Sequence, residues 1–394
     1  MTIKDYLPIR GELLFVGVLL LFFITDTLNV IVFKGGYEIG VPTTEYTKIS
    51  AYSKLLFLLG YFMFYSIHDF RLVLKIFFIG LFFILFPLSL YGFNDLNFVF
   101  LWGLNLVRFL FPVFLFDLLL KIKPRKNGLL FKIYLTLITF QIIVVFISAV
   151  FNIKLFLTYG EARFGYSGFL LAQNEATFYY VIATVFVFKH WENTKNRSSL
   201  MLLMLVLLAT LLLGTKAIFL FLGSFVIFFG WYYNLYTKIL FWISGLIVLA
   251  IVIALFYNTG VIEYYINLAE DKGWLYMLTS RRNILIEQQL PIVFDNWRWY
   301  NYLFGGVNPT ISFVEMDMID MFLFGGVVGS FMYYMLLFKT IYAFSKSNYL
   351  GWFLVSQYFL IGGLAGHVFA SGINAIYLAL TSYYLQNATK AKLL

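Results

Sequence analysis

The sequence predicts an all-α, polytopic membrane protein, and three observations carry that prediction. Of 394 residues, 62% are hydrophobic and only 12% are charged, whereas soluble domains carry about 25% charged residues. The mean hydropathy is +0.87. Apolar runs recur along the chain at the length needed to cross a hydrocarbon core of about 30 Å, roughly 20 helical residues. With that ruler the chain divides into about twelve spans, centred at about residues 22, 58, 82, 108, 140, 178, 206, 225, 248, 329, 356 and 376. No internal repeat, low-complexity tract or soluble domain interrupts them.

Composition also removes whole classes of function. The chain has no cysteine, so disulfides, thiolate catalysis and Cys-ligated metals are excluded. Its three histidines, His68, His190 and His367, are too few for a His-rich metal site, so neither a metal nor a cofactor is expected. P-loop, HExxH and nucleophile-elbow motifs are absent. The net charge of +9 does not indicate a nucleic-acid partner. The basic residues sit in short loops between spans, where membrane orientation accounts for them.

The first span follows Lys4 and Arg10. No small-residue cleavage site comes after the apolar run at residues 13–23, and the pattern continues to about Phe33, so this segment is expected to stay as a span. Counting alternate loops places about 17 basic residues on the side of both termini and about 9 on the other. Both termini are therefore expected in the cytoplasm. The outer face then receives residues 34–48, 93–97, 152–168, 214–216 and 366–371, together with the one long polar segment, residues 258–316.

Each outer segment contributes candidate residues. Arg163 lies in a Gly-rich, Tyr-containing turn, and Gln173, Asn174 and Glu175 open the following span. Three consecutive polar groups at a helix end are costly in a membrane unless they line a cavity or bond to a neighbouring helix. Lys216 stands between two closely spaced spans, either snorkelling to the interface or binding an anion. In the long loop, residues 278–290 predict a short amphipathic helix, with Leu278, Ile284, Leu285 and Ile286 on one side and Arg281, Arg282, Glu287 and Gln288 on the other. Such a helix can lie on the membrane surface. Adjacent guanidinium forks also suit phosphate and diphosphate oxygens, to which they give paired charged hydrogen bonds. Trp274, Trp297 and Trp299 offer rings to sugar faces or form an interfacial belt.

After the loop, Glu315, Asp317 and Asp320 cluster where a span begins. Asp317 and Asp320 share a helix face, and the helix dipole favours a carboxylate there. Capping explains one such group more readily than three. The glycine pairs Gly325/Gly329 and Gly362/Gly366 predict close helix approach. His367 follows at the outer end of the penultimate span, either as a structural hydrogen-bonding residue or as a base.

This layout resembles the bacterial O-antigen polymerase and ligase superfamily, that is, the Wzy-type polymerases and the lipopolysaccharide O-antigen ligases. The resemblance rests on about a dozen spans and a large loop before the last three. It also rests on Arg163 with "AQNEAT", the break at Lys216, "TSRRN", "VEMDMIDMFLFGGVVG" and His367, and it covers most of the chain. It implies a GT-C-like fold in the bacterial inner membrane with its active site facing the periplasm. The substrates implied are a glycan donor and an acceptor repeat unit, both carried on undecaprenyl diphosphate. An inverting, metal-independent transfer joins them, and a chain-length-regulating co-polymerase is an implied partner.

In that chemistry Arg163, Arg281, Arg282 and Lys216 would bind diphosphate. Asp317, Asp320, Glu175, Glu315 or His367 would take the acceptor proton, and Asn174, Trp274, Trp297 and Trp299 would contact glycan. A ligase that passes the glycan to lipid A core or another acceptor is the alternative, although its usual histidine after the loop is here an acidic cluster. A lipid-linked oligosaccharide flippase is disfavoured because the spans hold few charges, with Asp26, Arg108 and Asp117 as exceptions.

Overall fold

The computed structural model describes residues 3–39, 49–68, 74, 80–81, 96–122, 128–159, 164–258, 260–307, 314–345, 348–369 and 371–390. Among them the only β structure is an isolated antiparallel bridge between Leu157 and Tyr166. The remaining regular structure is helical. The helices are α1 (Ile3–Ile39), α2 (Ile49–His68), α3 (Leu96–Ile122), α4 (Leu129–Phe151), α5 (Gln173–Thr194), α6 (Arg197–Leu212), α7 (Lys216–Tyr232) and α8 (Ile239–Asn258). The long loop contains α9 (Val261–Lys272), α10 (Trp274–Thr279), α11 (Arg282–Asn296) and α12 (Trp299–Phe304). The chain closes with α13 (Asp317–Ser345), α14 (Tyr349–Leu364) and α15 (Gly372–Lys390).

Eleven of the expected span centres fall inside one of these helices. The twelfth, near residue 82, falls almost wholly outside the described residues. Among the described residues five apolar stretches have the length and composition of a membrane span, namely Gly11–Val32, Trp102–Leu119, Leu129–Phe151, Ile239–Asn258 and Asp317–Phe338. Arg197–Leu212, Lys216–Tyr232 and Tyr349–Leu364 are apolar but shorter. Sixteen or seventeen residues reach only about 25 Å, so these three fall short of the ruler.

Burial sorts the helices into an inner and an outer set. In α5 every residue from Ala176 to Lys189 is buried, and α15 is buried from Gly372 to Leu385. These two helices pack on each other and are surrounded by α1, α3, α6, α7, α13 and α14. Because they face protein rather than lipid they can carry Tyr and Thr, provided the hydroxyls find partners. The Tyr134 hydroxyl from α4 shares a 2.7 Å hydrogen bond with that of Thr381, and Thr177 and Thr215 hydroxyls pair at 2.8 Å. By contrast α8 has the most apolar window of the five candidate spans, and none of it is buried.

The helix α13 is broken. Gly326 takes φ 62° and ψ −166°, a region essentially reserved for glycine. The break frees the carbonyls of Leu323 and Phe324, which accept hydrogen bonds from the N–H groups of Val307 and Gly306 at 3.2 and 3.3 Å. The end of the long loop is thus laid against α13 some nine residues below its start. Irregular backbone at that depth is tolerated where protein covers it and satisfies its polar groups. The indole of Trp102 stacks on Phe324 with 4.4 Å between ring centres and closes the other side.

A methyl group at position 326 would lie 2.4 Å from the carbonyl carbon of Leu303 and 2.5 Å from the Gly305 nitrogen. Gly326→Ala is therefore expected to cost about 3 kcal/mol or more, from backbone strain and overpacking together. The check is the thermal melt of the purified variant in detergent. A wild-type transition would mean that no such break exists.

Toward the C-terminal end of α1, Lys34 donates to the Leu157 carbonyl at 2.8 Å and to the Ser167 hydroxyl at 3.4 Å. Burial lowers its pKa from 10.5 to about 8. Below pH 8 the amine is charged in both folded and unfolded chains. Between pH 8 and 10.5 the unfolded chain holds more protons, so folding stability rises with pH and then levels. The rise is expected to be roughly 3 kcal/mol at most, and melts of Lys34→Met across this window should lack it.

Candidate functional site

The site forms where the long loop meets the starts of α13 and α15. Asp317 is buried, at 4% exposure. Its Oδ1 accepts from the backbone N–H of His367 at 2.7 Å, and its Oδ2 from those of Val368 and Phe369 at 2.8 and 2.7 Å. Asp317 therefore fastens the loop between α14 and α15 to the start of α13. One turn on, Asp320 Oδ1 accepts from the Val314 N–H at 2.8 Å. The carboxylate also accepts from the backbone N–H of Met316. Glu315 is exposed and adopts φ +61°. Its backbone lies against Gly366, where a methyl group would sit 2.6 Å from the Glu315 carbonyl carbon. His367, at φ +71°, is exposed and its imidazole faces the Asp317 charge.

Arg282 joins this group from the loop. Its Nε donates to the Glu315 carbonyl at 2.8 Å and an Nη to the Thr279 carbonyl at 3.2 Å. Burial pulls its pKa down from the usual guanidinium value, opposed by the negative charges of Glu315, Asp317 and Asp320 and by Tyr159. A guanidinium keeps its charge in proteins. Two of the five N–H groups of Arg282 are spent on carbonyls, and its charge interacts with those of Glu315, Asp317 and Asp320.

Other expected residues are placed differently. The single helix expected over residues 278–290 is interrupted, because Ser280 and Arg281 both take left-handed conformations, at φ 55° and 77°. The helix ends at Thr279 and restarts at Arg282, so the two arginines do not form one fork. Arg281 is exposed while Arg282 turns inward. Lys216 is half-buried and turned toward the long loop. Its amine donates to the Met277 carbonyl and lies 5.1 Å from the Tyr265 ring centre, which ties α7 to the loop. Arg163 lies outside the described residues.

Trp297 corrects the expectation of a sugar-stacking ring. It is 8% exposed and packed against Phe294, Tyr302 and Phe322, so its faces are already covered. Trp274 and Trp299 remain available at 66% and 73% exposure. Asn174 and Glu175 are half-buried in the first turn of α5, and the Glu175 carbonyl accepts from Asn374 Nδ2 at 3.1 Å.

Glu175 belongs to a second group of charges that the sequence reading did not assemble. Lys54, 5% exposed on α2, interacts electrostatically with Arg108 of α3, Glu175 of α5 and Asp26 of α1. Arg108 in turn feels Glu175. A lysine inside an apolar stretch was the available signal, but averaging hydropathy over a span conceals a single charge. Among the described residues no three His, Cys, Asp or Glu side chains are grouped to hold a metal. No family model, curated protein or solved structure matches the chain.

Proposed function

We propose that the protein is a membrane glycosyltransferase that polymerises oligosaccharide repeat units carried on undecaprenyl diphosphate. The reading places it in the bacterial inner membrane, with about twelve spans in a GT-C-like arrangement, both termini in the cytoplasm and the reaction at the periplasmic face. The observation that supports it most is the company of Arg282. A partly buried guanidinium with N–H groups to spare interacts with the exposed Glu315 and with Asp317 and Asp320, and the exposed His367 faces Asp317.

In the proposed reaction a hydroxyl of the acceptor unit attacks the anomeric carbon of the donor glycan. The bond from that carbon to the diphosphate oxygen breaks, and the lipid diphosphate leaves with the electron pair. Inversion at the carbon follows from a single displacement. Diphosphate is a competent leaving group, so the main task is to stabilise charge as it builds there, which a preorganised guanidinium does. Arg282 takes that role and stands in for a metal ion. The acceptor proton goes to a base. Asp317 is poorly placed to be that base, since both of its oxygens already accept backbone hydrogen bonds. Glu315 and His367 remain, with Asp320, whose carboxylate accepts from the backbone of Val314 and Met316, behind them.

The test is incubation of the purified protein with a lipid-diphosphate-linked repeat unit, followed by gel analysis of the glycan. A ladder of products is the expected result. No ladder, but transfer once lipid A core is added, would replace the polymerase by a ligase.

A further inference from the structure

The second charged group lies at the same end of the bundle as Arg282. Asp317 holds the backbone of residues 367–369 on one side, and that loop leads directly into α15. At the start of α15 the Asn374 side chain bonds to Glu175, and Lys54 packs its stem on Gly372. Lys54 lies in the second turn of α2, Glu175 in the first turn of α5 and Asp26 within the last two turns of Gly11–Val32. Lys54 and Glu175 thus lie near helix starts, where a lipid headgroup reaches, and Asp26 faces them from farther down α1. Arg108 completes the group from α3, with one Nη 3.5 Å from Asn105 Oδ1.

A glycan polymerase handles two diphosphates at once. The donor's diphosphate sits at the reacting carbon, whereas the acceptor's is a whole repeat unit away from its attacking hydroxyl. The two anion sites must therefore be separate and on one face. We propose that Lys54 and Arg108 form the second of these sites and hold the diphosphate of the lipid-linked acceptor, while Arg282 serves the donor. This inference rests on the polymerase reading.

Asp26 and Glu175 balance the two cations when the site is empty, which removes the large cost of burying an unpaired charge. The diphosphate takes over as their partner when it enters. Two further groups mark the site as built for a ligand. Asn374 Oδ1 is fully buried and has no hydrogen-bond partner, and Asn29 Oδ1, one turn from Asp26 on α1, is likewise unpartnered. Buried acceptors of this kind call for a donor, which a sugar hydroxyl next to the diphosphate supplies.

The experiment counts farnesyl diphosphate molecules bound per protein by native mass spectrometry in detergent, with phosphatidylglycerol as a competing one-phosphate lipid. Single substitutions here leave a buried charge unpaired, so charge-balanced pairs are used, Lys54→Gln with Asp26→Asn and Arg108→Gln with Asp26→Asn. The expected result is two molecules on the wild type, one on each balanced pair and one on Arg282→Ala, with no displacement by phosphatidylglycerol. Two molecules retained on both balanced pairs, displacement by phosphatidylglycerol, or a single molecule on the wild type lost in Arg282→Ala would overturn the second site. In that last case the transferase reading survives with one diphosphate site. No binding to the wild type would overturn both.

Discussion

Arg282→Ala is expected to remove the product ladder while leaving a folded protein. Its guanidinium is held by two backbone carbonyls, of Glu315 and Thr279, so the side chain is aimed before any substrate arrives. A preorganised charge of this kind loses little to reorganisation during the reaction. Its removal is expected to cut the rate of transfer about 10²- to 10³-fold, equal to about 3 to 4 kcal/mol in the barrier. Arg282→Lys should recover only part, because an ammonium lacks the fork that bonds both a carbonyl and a phosphate oxygen. Arg281→Ala serves as the comparison. That neighbour is exposed on the other side of the helix break, and its loss should change the rate several-fold at most. Equal, severe losses in both variants would show that the two arginines work as a pair after all.

The largest effect on stability is expected at Asp317. Alanine there leaves three backbone N–H groups, those of His367, Val368 and Phe369, without their acceptor. Val368 and Phe369 are buried, at 1% and 0% exposure, so water does not readily replace the carboxylate for them. Each orphaned group costs about 1 to 3 kcal/mol, and the sum rivals the whole stability of many domains. Asp317→Ala is expected to lose its folded peak in size-exclusion chromatography, whereas Asp317→Asn keeps one acceptor oxygen and should melt early but fold. An Asn variant that folds and still makes a ladder would remove Asp317 from the list of bases. If the Ala variant melted with the wild type, the fastening described here would be wrong.

Composition alone carried the helical class, since a chain this apolar has few ways to satisfy its backbone in lipid. The helix positions were also legible from apolar runs, even for α5 and α15, whose Tyr and Thr content dilutes the signal. The site was legible only in part. Arg282, Glu315, Asp320 and His367 stand out as polar residues at or beyond the ends of apolar runs, and the structure gathers them about Asp317. The role of Asp317 left no mark, because its partners are backbone groups fifty residues on. The parting of Arg281 from Arg282 was hidden as well, since Ser280 and Arg281 enter a left-handed conformation without any glycine to announce it. Trp297 reads like its exposed neighbours until Phe322 of α13 is seen to cover it.

The junction of Gly306 and Val307 with the broken helix bears on how such a chain can diverge. The long loop is stitched to the helix that follows it, through hydrogen bonds to Leu323 and Phe324 and through a backbone contact at Gly326 that admits no side chain. Whatever recognition the loop carries is therefore inherited together with residues 323–326. A chimaera that exchanges the loop for that of another protein will need the helix break as part of the same cassette.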